Sequence, residues 1–290
     1  MLYESEQEWR DAKEKRVLLF GMSGLGKTHV SNILRDSGTW FHYSIDYRIG
    51  TRYMGEHISD NAKKHAMQVP FLRKLLMTDS IYIGSNITFN NLTPLSTYLG
   101  KPGDQAKGGL DFEEYMIRQE QHRQGEVYAL LDTERFARRS YNLYGYPNFV
   151  CDSGGSICEV IDPEDPADPV LSALSESTLL VWIKGDDAHT DELIRRFDRA
   201  PKPMYYEPNF LRKAWSDYLD QTGDSPESVD PDAFVRWTYA RALAHRQPRY
   251  AAMAKHGVTV TADAVAAVRT AEDFDALIAE ALASRERDTT

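Results

Sequence analysis

Apolar side chains in this chain fall into five short runs set apart by longer stretches of helical periodicity. Residues 17–20, 40–45, 148–151, 178–184 and 258–261 carry leucine, β-branched or aromatic side chains in runs too short for a helix, and each predicts a strand. The run 178–184 is apolar almost throughout, as a strand covered on both faces should be. Helical spacing follows at 187–197 and at 271–283, where Phe274, Leu277, Ile278, Ala281 and Leu282 recur on one face. Strands alternating with helices in this way predict a mainly parallel α/β sheet.

Two intervals are longer than a crossover requires. Residues 47–147 predict a helical region inserted after the second strand. Within it, 60–77 reads as a helix broken at Pro70, and 112–144 as a long charged helix. Pro94, Gly100, Pro102, Gly103, Gly108 and Gly109 make 93–109 a loop or lid. Residues 207–256 predict a second helical insertion with an acidic, turn-rich middle at 221–232. The expectation is one domain over 1–290 that carries both insertions.

Composition narrows the classes. A hydrophobic content of 42% suffices for a sizeable core, and a net charge of −10 argues against a general nucleic-acid binder. No apolar stretch approaches the ~20 residues of a membrane span, so no membrane partner is expected. The first residues are acidic and lack the apolar centre of a secretory signal. Cys151 and Cys158 are too few for a disulfide framework or zinc site, and packing in a reducing cytoplasm is the expectation.

The chemistry concentrates after the first run. Gly21, Met22, Ser23, Gly24, Leu25, Gly26, Lys27 and Thr28 complete the pattern G-x-x-x-x-G-K-[ST], entered from an apolar run and left by a helical one. Glycines let backbone N–H groups curl around a polyphosphate, and the helix N-terminus adds its positive dipole end. Lys27 would reach the β- and γ-phosphates, and the Thr28 hydroxyl would coordinate Mg²⁺. ATP binding with Mg²⁺ is the expectation.

Three further sites follow from position. Asp152 ends the third run ahead of Gly154 and Gly155, where a carboxylate could hold the metal opposite Thr28 or cap the following turn. Asp46 ends the second run, where it could orient an attacking hydroxyl; Arg48 and Arg52, four residues apart, could clamp an anionic acceptor or pair along a solvated helix. Residues 195–203 hold three arginines, one lysine and two prolines. They suit either an irregular lid whose Arg196 or Arg199 neutralises transition-state charge, or a basic turn balancing a helix dipole.

Together these residues resemble the small-molecule and nucleotide kinase branch of the P-loop NTPases, shikimate-kinase-like and gluconate-kinase-like proteins in particular. The carriers are the phosphate loop at 21–28, Asp46 in Ser44-Ile45-Asp46, the turn Asp152-Ser153-Gly154-Gly155 and Arg199-Ala200-Pro201. Shikimate kinases keep an Asp-x-Asp where this chain has only the second aspartate, and the family's lid places its Arg one residue nearer the Pro. The resemblance covers about half the chain. It implies a five-stranded sheet ordered 2-3-1-4-5, adenine rather than guanine, and γ-phosphoryl transfer to a small-molecule hydroxyl or phosphate acceptor, with Lys27, Asp46, Asp152, Arg196 and Arg199 catalytic. The absence of an Asn-Lys-x-Asp guanine-reading motif agrees with the adenine preference. An ATPase or ATP-dependent switch with a protein partner is the alternative. A polynucleotide kinase is disfavoured by the net charge.

Overall fold

The computed structural model describes residues 1–165 and 167–289. They divide into two compact units. The first comprises Met1–Ile45, Val127–Ala200 and Thr238–Thr290. Its centre is a sheet of β1 (Arg16–Phe20), β2 (Trp40–Ser44), β3 (Asn148–Asp152), β4 (Leu179–Lys184) and β5 (Val258–Thr261). The spatial order is β2-β3-β1-β4-β5, and every pairing is parallel. This is the predicted class and order. Val17, Leu18, Leu19 and Phe20 of central β1 are fully buried. Edge strand β5 instead buries Val258 and Val260 and exposes Thr259 and Thr261, the period of two that one covered face requires. The helix Ala271–Thr289 closes one side, with Phe274 packed edge-on against Trp40 and the Trp9 indole donating to Asp275 O at 3.1 Å.

The second unit comprises Asp46–Glu126 and Pro201–Trp237 and is helical. Its helices are Gly55–Ala66, Pro70–Met77, Thr93–Leu99 and Pro208–Thr222, with the first part of the 33-residue helix Phe112–Tyr144. Pro70 separates two helices as the sequence suggests. The expected loop at 93–109 is corrected at its start, where 93–99 is helical. Pro94 sits in the first turn, where its missing N–H costs nothing, and Leu95, Tyr98 and Leu99 are buried. Only the later glycines stay irregular. Residues 45–53 also differ from a plain helix: Ile45–Arg48 is α-helical, and Ile49–Tyr53 widens into a π-turn closed by Met54 N donating to Ile49 O at 2.8 Å. Gly125 permits this packing, because a Cβ there would lie 3.3 Å from Tyr53 Cβ and 3.4 Å from Ile49 Cγ2.

The buried stripe of Phe112–Tyr144 inside this unit starts at Tyr115 and Met116 and then turns polar. Gln119 donates to Met204 O and accepts from Tyr206 N, while Arg118 binds Tyr98 O, Glu114 and Asn61. One helical turn on, His122 stacks on Tyr205, 3.8 Å from Glu126, and burial pushes its pKa down to about 4. A depressed imidazole stays neutral in the folded state while the unfolded chain takes up a proton below about pH 6.5. Its contribution is therefore complete above that pH and lost progressively as pH falls towards 4. The expected loss, on the order of 3 kcal/mol across the window, should show as a fall in the urea midpoint that His122→Gln flattens. Identical pH profiles for the two proteins would refute it.

Candidate functional site

The phosphate loop lies between β1 and the helix Lys27–Asp36, at the carboxyl edge of the sheet. Gly26 caps that helix in the left-handed region with φ +96°, and no side chain caps its N-terminus. The helix's leading N–H groups thus have no side-chain acceptor of the ordinary kind, which is the anion-binding arrangement. Lys27 is buried, and its Nζ donates to Gly21 O at 2.7 Å and Met22 O at 2.8 Å, bracing the loop from within. Gly21 has φ +133°, and a Cβ there would stand 2.5 Å from Ile183 O on β4. Gly21→Ala is expected to cost about 2 kcal/mol or more through strain and collision. An unchanged chemical-denaturation midpoint would contradict that.

Asp152 ends β3 and is buried. Thr28 Oγ1 donates to its Oδ2 at 2.8 Å, so the two sequence-picked metal groups meet across 124 residues of chain. His42 Nε2 lies 3.7 Å from the same oxygen, on neighbouring β2. A carboxylate and a hydroxyl, hard oxygen donors beside an uncapped helix N-terminus, fit Mg²⁺ with a polyphosphate.

The helix that holds the arginines runs Asp187–Arg199, two residues beyond its predicted end. The irregular lid expected over 195–203 is corrected accordingly. Arg195, Arg196 and Arg199 are helical because the prolines act only on what precedes them closely, and Ala200, before Pro201, is where the backbone leaves the helix. Leu193 and Phe197 anchor the helix. Leu193 Cδ2 would lie 2.9 Å from a Cβ on Gly24 of the phosphate loop, and Phe197 stacks on Tyr239 with ring centres 3.8 Å apart. Arg196 and Arg199 are exposed on the last turns. Arg195 pairs with Glu192 at 2.9 Å.

Asp46 belongs to the second unit and lies in the first turn of Ile45–Arg48, so β2 stops two residues before it. It is half-buried. Of the two flanking arginines, Arg48 lies 5.4 Å from the Tyr53 ring and Arg52 is exposed.

Sequence reasoning missed a network on the helix Pro231–Ala254. Arg246 and Glu159 form a buried ion pair at 2.6 Å, and the Tyr250 hydroxyl donates to Gly155 O. Gln247 Nε2 lies 3.2 Å from the Met22 sulfur, and a Cβ on Gly155 would approach Ser23 N to 3.3 Å. The turn after β3 is thereby packed onto the phosphate loop. One signal was available: Tyr239, Ala242, Leu243, Arg246, Tyr250 and Met253 share a helical stripe, and Arg246 is its lone charge. Also missed was a cleft of about 710 Å³ beside the loop, lined by Gly24, Leu25, Gly26, His29, His189 and Arg269 among others. The cysteines are free, buried and inert, burial pushing both thiols up, Cys158 to about 12.

No protein-family model matches the chain, and no curated protein matches it. Among solved structures, a shikimate kinase from Bacteroides thetaiotaomicron is similar, with 14% identity and a TM-score of 0.37. That match covers 95% of this chain and 97% of the other.

Proposed function

We propose that this chain is an ATP- and Mg²⁺-dependent phosphotransferase that moves the γ-phosphoryl group to a small-molecule hydroxyl or phosphate acceptor. The observation that carries the reading is the Thr28–Asp152 contact at 2.8 Å beside Lys27 and an uncapped helix N-terminus. Mg²⁺, when bound through Thr28 and Asp152, would neutralise charge on the β- and γ-oxygens. Lys27 would exchange its two carbonyl partners for phosphate oxygens. The 710 Å³ cleft lined in part by Gly24, Leu25 and Gly26 of the loop has room for the nucleoside. Asp46 is the proposed acceptor-side carboxylate, and Arg196 and Arg199 the proposed cations for the transition state.

Incubation with γ-labelled ATP and a fractionated metabolite pool tests the transfer. A labelled small molecule supports it. Release of free phosphate alone, undiminished by any acceptor, would favour the ATPase or switch instead. The arginines have their own test. Arg196→Ala and Arg199→Ala, made separately, are expected to lower turnover at least tenfold in one case with a smaller change in ATP affinity. Loss in neither leaves them as the solvated end of a helix.

A further inference from the structure

The helix Pro70–Met77 buries none of its residues, although five of its eight, Phe71, Leu72, Leu75, Leu76 and Met77, are apolar. At 100° per residue its circumference splits cleanly. Leu72, Leu75 and Leu76 are half-buried on the inward arc. The outward arc reads, in order, Arg73, Met77, Pro70, Lys74 and Phe71, and all five are exposed. Phe71 is 71% and Met77 69% exposed, and Val69 and Tyr82 on either side are 46% and 92% exposed. Residues 60–82 carry Lys63, Lys64, Arg73 and Lys74 against Asp60 and Asp79, a basic excess in a chain of net charge −10. Lys63 is partly committed to Asp60 at 2.9 Å, while Lys64, Arg73 and Lys74 are exposed with it.

We propose that this helix docks the protein on an anionic lipid surface, Phe71 and Met77 entering the headgroup boundary and Arg73 and Lys74 meeting the headgroups. Exposed apolar side chains with cations beside them suit a surface that offers both an acyl boundary and anionic headgroups. Phe71 is the one aromatic ring on the outward arc, too few for the successive base stacking of a single-stranded nucleic acid, which disfavours that partner. Apposing two copies would bring Arg73 and Lys74 against their equivalents, like charge on like, which disfavours self-association through this face. A surface contact needs no span, and among the described residues no helix is long and apolar enough to cross a membrane.

The test is co-sedimentation of the full chain with vesicles of phosphatidylcholine alone and of phosphatidylcholine containing about one-third phosphatidylglycerol, at low and high salt. Sedimentation with the anionic vesicles, weakened by salt, is the expected result. Phe71→Ser with Met77→Ser should lower the partition coefficient more than about tenfold, and Arg73→Glu or Lys74→Glu about fivefold or more each. All four positions are exposed, so thermal unfolding and ATP binding should not move. Failure to sediment, equal binding to neutral vesicles, or binding indifferent to these substitutions each overturns the proposal. So does a shift in the solution mass, or loss of binding to a single-stranded RNA probe, that follows the same variants while vesicle binding does not.

Discussion

Lys27→Ala is expected to lower kcat/KM by at least about 10³-fold, about 4 kcal/mol of transition-state stabilisation, and to weaken ATP binding measured by calorimetry. The size follows from geometry. Lys27 is buried at the start of an uncapped helix, so the triphosphate would meet its ammonium where water is scarce and charge is poorly screened. The same ammonium also holds Gly21 O and Met22 O, and its removal leaves two loop carbonyls without that donor. The substitution therefore has a structural cost, on the order of 1–3 kcal/mol, that must be measured beside the functional one. The two separate experimentally. A bracing role alone lowers the unfolding midpoint and leaves ATP affinity intact, whereas phosphate binding lowers affinity even where the protein is fully folded. Unchanged calorimetric affinity in a folded variant would end the phosphate role.

The strands and their parallel class were legible because the runs are short, apolar and bounded, whereas the order 2-3-1-4-5 came only with the resemblance to the kinase branch. β1, β3 and β4 sit in the centre, and centrality is what made them read as continuous apolar runs. The phosphate loop was legible because it is local, eight residues whose chemistry demands glycine at fixed offsets. Long-range pairs were not. Nothing in the spacing joins Glu159 to Arg246 or Gln247 to Met22, since each pair is made by tertiary packing of a distant helix. At 93–99 proline and glycine content suggests a loop, yet Pro94 occupies the one helical turn that tolerates it, and the glycines come after the helix ends. At 195–199 the helix runs on past the basic cluster, because Pro201 restricts only its immediate predecessor. The π-turn at Ile49–Tyr53 had no sequence signal, and Gly125, whose missing Cβ leaves room for Tyr53 and Ile49, lies on another helix.

Asp152→Asn is expected to cut turnover by about 10³-fold and to do so through the metal. Asp152 Oδ2 accepts from Thr28 Oγ1 at 2.8 Å and faces His42 Nε2 at 3.7 Å, in a site almost closed to water. A buried carboxylate is costly to desolvate, and a single hydroxyl donor does not offset a full charge; a divalent cation would. The asparagine keeps the shape and can still accept from Thr28, so the fold should persist with a small change in unfolding midpoint. The charge is what disappears. ATP affinity in the presence of Mg²⁺ should then fall, while affinity in excess chelator should stay the same or rise, because a carboxylate near the phosphates repels them when no cation stands between. Thr28→Val should show the same loss of Mg²⁺ dependence without the gain in chelator, since a hydroxyl carries no charge to remove. Titrating Mg²⁺ against ATP binding in the three proteins distinguishes this from a carboxylate that merely caps the turn at Ser153. A capping role predicts equal losses with and without the metal, and that outcome would remove Asp152 from the proposed metal site.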